Sequence, residues 1–284
     1  MKAIMVAIVV GGSTAHGTML PRGTTALFNG GASSFPAFLN TLKSFGGAVS
    51  YATVPCYNVR GMNSSMPFNL TAQGEFCKPF YDGVKTLSPK VASCPSIGMG
   101  GTYAYEVWAD PANAQKFTNF FVAEAAQRGW DGYWIDMEVS AHTSPHQAAQ
   151  GIAFLNTFGE ALHKAGLRVG IEEKSTFINA APARDIINNS TVDSVVLWYY
   201  NGVGEEIHYM GMSHYYFRAK AGIMFEPSAG WAKDNATAKA LMCSALKFNL
   251  SEVAYWTNLA NMEPAAWAPA MTAYINGDRA WCGV

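Results

Sequence analysis

The residues best suited to chemistry stand in one short stretch, 130–138, reading WDGYWIDME. If this stretch is a β-strand, alternate side chains share a face. Trp134, Asp136 and Glu138 then point one way, while Tyr133, Ile135 and Met137 point the other. Two carboxylates lie two residues apart on a segment that is otherwise almost wholly apolar. An unpartnered charge in an apolar interior costs several kcal/mol or more. The pair therefore belongs at the open end of the strand, in a site, unless the strand is an edge that simply ends in solvated acids. Crowding two acids raises the pKa of at least one of them, which suits a proton donor working near neutral pH.

Paired carboxylates with aromatic neighbours are what glycoside cleavage needs: an acid to protonate the leaving oxygen and a group to stabilise the oxocarbenium-like centre. Asp136 and Glu138 are too close along one strand to flank a bond from opposite sides as nucleophile and acid. Their spacing fits substrate assistance. In that scheme the sugar's own acetamido carbonyl attacks, Asp136 orients and polarises the acetamide, and Glu138 acts first as acid and then as base. A metal hydrolase would instead need convergent ligands. His142 and His146 are spaced four apart but enclose no HExxH glutamate, so no metal and no cofactor is expected.

The elements that would position these acids follow from periodicity. Residues 24–29 (TTALFN), 48–54 (AVSYATV), 90–97 (KVASCPSI), 130–138, 167–172 (LRVGIE), 193–200 (DSVVLWYY), 221–225 (AGIMF) and 252–256 (EVAYW) read as strands. Helical spacing appears at 35–45, 78–87, 111–128, 144–165, 182–188, 236–248 and 264–274. Asp110 followed by Pro111, and Ser144 followed by Pro145, are N-terminal signals. Residues 55–73 carry prolines, two glycosylation sequons and no clear period, and read as a long surface excursion. Strands alternating with helices predict an α/β fold, a parallel eight-stranded sheet closed into a (β/α)8 TIM barrel. An open doubly wound sheet would want a glycine-rich phosphate loop, and Gly98, Gly100 and Gly101 lack the required spacing. Asn29, Glu138, Glu172, Asn201, Glu226 and Asn258 all fall at strand ends, which a barrel gathers on the face where barrel enzymes place their chemistry.

Composition agrees with one large core: 284 residues, 50% hydrophobic and 14% charged. A net charge of -1 with scattered Lys and Arg favours neither nucleic acid nor an anionic membrane surface. Eight tryptophans and 13% aromatic residues suit stacking on sugar rings as well as core packing. Residues 1–17 have the pattern of a signal peptide, with an apolar run too short to span a bilayer, and residues 18–284 would form a single domain. A first buried strand is the competing reading of that run. Six sequons, at Asn63, Asn69, Asn188, Asn189, Asn235 and Asn249, favour secretion into an oxidising, glycosylating compartment. There, five cysteines would give two disulfides and one free thiol. Cys56 with Cys77 could close the polar loop between them, Cys243 with Cys282 could tie down the C-terminal tail, and Cys94 reads as a buried small hydrophobe.

The stretch resembles strand four of the family-18 glycoside hydrolases, the chitinases and related endo-β-N-acetylglucosaminidases, whose motif is DGxDxDxE. Asp131, Gly132, Asp136 and Glu138 match it. The resemblance implies that Glu138 is the proton donor and that Asp136 assists the acetamide. Ser96, Gly98, Gly100 and Gly101 look like the family's SxGG on strand three with an insertion. Tyr200 and Asn201 stand where strand six often carries a Tyr that contacts the acetamide, followed by Asp. Trp256 corresponds to the Trp that floors the reacting sugar's subsite on strand eight. The family's first Asp of the repeat is Trp134 here, so Asp136 must be positioned by another group, Ser96 or Tyr200. Tyr133, Trp134 and Ile135 are similar instead to the family-85 endo-β-N-acetylglucosaminidases, which read DGWxINxE.

The expectation is a secreted hydrolase of β-linked N-acetylglucosamine, in chitin-type chains or in the N-glycan core. Glu138, Asp136 and Tyr200 would be catalytic, with Trp256, Asn201, Trp198, Ser96, Glu226 and Asn258 holding the glycan. The partner is a GlcNAc-containing oligo- or polysaccharide, with no nucleic acid and no membrane span. Loss of the Asp at Trp134 motivates an alternative, a chitinase-like lectin without activity. A barrel hydrolase on glycans lacking an acetamide is the third reading. Trp134 is expected to fill the core, Tyr133 to face the helices, Glu172 to form a barrel ion pair, and Trp198 to serve either core or subsite.

Overall fold

A computed structural model describes residues 22–28, 32–63, 67–70, 77–88, 90–137, 143–174, 181–198, 203–217, 220–225, 234–255 and 262–283. In chain order the elements are β1 (Gly23–Leu27), α1 (Phe35–Ser44), β2 (Tyr51–Thr53), β3 (Pro55–Val59), β4 (Phe68–Leu70) and α2 (Cys77–Leu87). Next come β5 (Ala92–Ser93), β6 (Ser96–Gly98), α3 (Gly101–Ala109), α4 (Pro111–Arg128), β7 (Gly132–Asp136), α5 (Pro145–Lys164) and β8 (Arg168–Lys174). The chain finishes with α6 (Ala181–Asn188), β9 (Ser194–Trp198), α7 (Val203–Phe217), β10 (Ala221–Phe225), α8 (Asn235–Lys247), β11 (Glu252–Tyr255), α9 (Pro264–Asn276) and α10 (Arg279–Cys282).

The strands form one curled sheet of TIM-barrel type, in the order β4-β3-β6-β7-β8-β9-β10-β11-β1-β2-β5. Among the described residues only the β3–β4 pairing is antiparallel. As runs of regular pairing this order is open, unlike the closed ring that alternation predicts. Two short breaks cause it, at Val54 between β2 and β3 and at Cys94 and Pro95 between β5 and β6. Hydrogen bonds nevertheless continue past both, from Cys94 N to Ala52 O (3.1 Å) and from Ser96 N to Val54 O (2.9 Å).

Residues 55–73 are not the featureless excursion that their prolines suggest. Pro55–Val59 is a strand and Phe68–Leu70 pairs back onto it, with Pro55 lying next to a register shift in its pairing with β6. A proline cannot donate to a ladder, so it is tolerated at such an irregularity. Cys56 in this strand is bonded to Cys77 at the start of α2, and Cys243 is bonded to Cys282, while Cys94 is free and buried. These are the pairings that the spacing suggested.

Among the described residues two cores hold the sheet. The larger lies between strands and helices, and Tyr133 belongs to it: its ring centroid is 5.2 Å from Phe121 of α4 and 6.3 Å from Phe158 of α5, and its hydroxyl donates to Phe121 O at 2.8 Å. Both helices begin where the caps place them. Asp110 accepts from Ala112 N ahead of α4, and Ser144 forms a capping box with Gln147 ahead of α5. The smaller core fills the barrel interior with Leu27, Cys94, Trp134, Val196, Met224 and Ala254.

Candidate active site

Strand β7 is fixed from both sides. On its outer face Tyr133 and Ile135 enter the helix-facing core; on its inner face Trp134 is fully buried. Its lower end is set by Asp131 and Gly132, the two residues that open the motif. Asp131 Oδ2 accepts from Ser93 N at 2.7 Å and so clamps β5 to the start of β7. A Cβ at Gly132 would lie 2.3 Å from Arg168 O, so only glycine fits there. Asp131 therefore acts at the opposite end of the strand from Asp136.

Trp134 is the residue where the stretch departs from the motif it resembles, and the neighbouring strand shows how it is accommodated. Its register partner on β8 is Gly170, and a Cβ there would lie 3.2 Å from Trp134 Cε2. A large residue opposite a vacancy is how interdigitating cores reach native density. Below the indole, Arg168 lies with its Cζ 4.1 Å from the Tyr51 ring centroid and donates to Ser194 Oγ (2.6 Å) and to the Glu252 carboxylate, which also accepts from Thr25. Burial opposes the Arg168 charge most strongly, but the Glu252 carboxylate together with Tyr51, Cys94 and Asp193 outweighs that cost and raises the guanidinium pKa above its ordinary value. The barrel floor is thus a partly buried ion pair, and a tryptophan covers it on the side where Asp136 stands.

Asp136 is the last residue of β7, half-buried, with Met99 N donating to its carbonyl at 2.8 Å. Gly98 on β6 and Glu172 on β8 are its register partners. Asp136 lines a cleft of about 420 Å³ together with Asn58, Val59, Arg60, Gly98, Gly100 and Tyr103. That volume is within the range of small-ligand sites, about 300–1,000 Å³. Glycine at 98 leaves room for the Asn58 side chain on the cleft wall: a Cβ there would lie 2.4 Å from Asn58 Oδ1 and would displace it.

Of the other residues expected in the site, Ser96 is buried at the start of β6, in register with Trp134 and thus one level below Asp136. Glu172 is buried at 3% exposure beside Asp136, and Trp198 ends β9 in register with Lys174 and Met224. Glu138, Tyr200, Asn201, Glu226, Trp256 and Asn258 lie outside the described residues, as does the side chain of Trp198. The structure therefore brings Asp136 together with Gly98 and Gly100, and sets Ser96 beneath them.

Four groups near this face have no counterpart in the expected set. Asn58 and Arg60 sit on a segment taken for surface excursion, and Tyr103 on α3, a helix hidden by its glycine-rich start. The fourth is Glu206 in the first turn of α7, a helix that shows no clean apolar stripe. Glu206 is fully buried, neither carboxyl oxygen has a hydrogen-bond partner among the described residues, and burial pushes its pKa up to about 8.

No family model and no curated protein sequence matches this chain. Its fold does match solved structures. A chitinase from Chromobacterium violaceum superposes with a TM-score of 0.66 at 11% identity, covering 89% of this chain and 99% of that one. A family GH18 chitinase from Cycas revoluta, in complex with allosamidin, gives 0.64 at 12% identity, covering 90% and 99%. The spore cortex-lytic enzyme SleL of Bacillus megaterium gives 0.62 at 12% identity, covering 88% and 74%. The chain has the fold of the GH18 chitinases.

Proposed function

We propose that this chain is a secreted glycoside hydrolase that cleaves β-linked N-acetylglucosamine with retention, in chitin-type chains or in the chitobiose core of N-glycans. The observation that carries the reading is the position of Asp136: last residue of β7, half-buried, lining the cleft, with Glu138 two residues on. Active sites of such barrels are built at the carboxyl ends of the strands. We count β2 with β3, and β5 with β6, as single strands interrupted by a residue or two, which makes the ring eight-stranded and closed. Support comes from the two hydrogen bonds that cross the interruptions.

In the reaction Glu138 gives its proton to the glycosidic oxygen as the bond to the anomeric carbon breaks. The acetamido carbonyl oxygen of the same sugar attacks that carbon from the other face and closes an oxazolinium ring. Asp136 accepts from the acetamide N–H and stabilises the positive charge that develops, with Tyr200 against the same group. Water then attacks the anomeric carbon, Glu138 takes its proton, and the ring reopens with the original configuration. Trp256, Asn201, Trp198, Glu226 and Asn258 hold the glycan, and Ser96 supports Asp136 from below. No cofactor is required. Secretion is supported by the two disulfides and by exposed sequon asparagines at 63, 188, 189 and 235. No helix among the described residues is long and apolar enough to cross a membrane.

Glu138→Gln tests the reading. Turnover of chitooligosaccharide or chitobiose-core glycan should fall by about a hundredfold or more, the scale of one general acid–base group. Unchanged turnover would refute it. Trp134, apolar and fully buried where the family places an Asp, favours a second reading as a lectin of GlcNAc-containing glycans. Binding of chitooligosaccharide by the wild-type chain with no release of reducing ends would select it.

A further inference from the structure

The cleft beside Asp136 contains a cation that cleavage of a neutral glycan does not use. Arg60 is exposed on the cleft wall and forms no ion pair among the described residues. The loop that carries it is held at several points. Arg60 N donates to Pro67 O at 2.7 Å, and Met62 N donates to Glu106 Oε2 at 2.8 Å. Four residues earlier, Cys56 is tied to α2 through Cys77. Glu106, the nearby carboxylate, spends an oxygen on this backbone contact instead of on the guanidinium. The cation is therefore presented from a fixed backbone, and a planar guanidinium fork suits a carboxylate in two-point contact.

Facing it, Tyr103 is the one large apolar side chain exposed among the described residues, at 43%. It stands on α3 close after the turn that follows β6, where a ring can stack on a sugar face. Asn58, with its Oδ1 against Gly98, adds a donor and an acceptor on the same wall. A ring platform, an amide and a cation with no ion pair among the described residues together suit a sugar that bears an anionic substituent.

We propose that this cleft binds a 2-acetamido glycan carrying a carboxylate on the sugar adjacent to the reacting one, with Arg60 taking the carboxylate and Tyr103 the ring face. The inference rests on the hydrolase reading for the position of the reacting sugar, but its test reads binding, not turnover. The probes are a tetrasaccharide of alternating N-acetylglucosamine and N-acetylmuramic acid and the same tetrasaccharide with its lactyl carboxylates converted to carboxamides. Each is titrated calorimetrically into the full chain carrying Glu138→Gln, at low salt. The acid should bind about tenfold more tightly than the carboxamide, the scale of one charge-assisted contact. Adding Arg60→Gln should abolish that preference, Arg60→Lys should keep part of it, and Tyr103→Ala should weaken both ligands alike. Equal affinities in the parent, a preference that survives Arg60→Gln in a variant of unchanged melting temperature, or binding of neither glycan would overturn the proposal. An acid preference in Glu138→Gln combined with no turnover of either glycan by the wild-type chain would sustain the assignment of Arg60 while refuting the hydrolase reading.

Discussion

Replacing Glu206 by glutamine should change how stability depends on pH. The carboxyl is fully buried in the first turn of α7 with no hydrogen-bond partner among the described residues, and burial lifts its pKa from an ordinary 4.5 to about 8. Between those values the folded chain keeps the proton and the unfolded chain releases it. The group's contribution is thus fully present below 4.5 and is lost as the pH rises toward 8. Each pH unit in that window costs about 1.4 kcal/mol, or about 3 kcal/mol between pH 5 and 7.5. In a chain of this size that is roughly 6 °C in melting temperature. Glutamine has nearly the same shape and does not titrate. The assay is thermal or urea unfolding of both proteins across that range. The stability of Glu206→Gln relative to wild type should rise by about 3 kcal/mol from pH 5 to 7.5. A difference that stays constant across the range would refute the assignment of a buried, partnerless acid.

Gly170→Ala should destabilise by about 1–3 kcal/mol, because the new methyl would lie 3.2 Å from Trp134 Cε2, 3.2 Å from Ser194 Oγ and 3.3 Å from Arg168 Nη1; an unchanged urea midpoint would contradict the packing of Trp134 against this glycine. Replacing Cys243 and Cys282 together by alanine opens a covalent loop with a sequence separation of 39, and chain-entropy arguments put the loss at about 4 kcal/mol. Its check is the unfolding midpoint of the oxidised wild type against that of the double variant. Gly98→Ala should displace Asn58, whose Oδ1 would be 2.4 Å from the new methyl, and should weaken chitooligosaccharide binding measured by calorimetry without a large fall in melting temperature.

What the sequence disclosed about the fold depended on whether local signals were strong. Helices α4 and α5 start at Asp110–Pro111 and Ser144–Pro145 because side-chain caps and N-terminal prolines are local physics, readable without the rest of the molecule. Helix α3 escaped because Gly100 and Gly101 read as a turn, and α7 because its apolar residues follow no single stripe; the tertiary packing decides both. The strand at 55–59 was masked by Pro55, which sits beside a register shift instead of breaking the sheet. The site divides the same way. Alternation along one strand singled out Asp136, which ends β7 and lines a cleft. Arg60 and Tyr103 join it from elements far away in sequence, and no spacing rule could have paired them. Trp134 looked like a defect in a motif; its compensation is Gly170 on the next strand, legible only once the register is known.

The most direct test of the central claim is the stereochemistry and acetamide dependence of the first turnover. Proton NMR of fresh chitotetraose hydrolysate should show the β-anomer appearing first, and an analogue with hydroxyl in place of each acetamido group should not be cleaved. Initial release of the α-anomer, or equal cleavage of the analogue, would contradict catalysis by the substrate's own acetamide with Glu138 and Asp136.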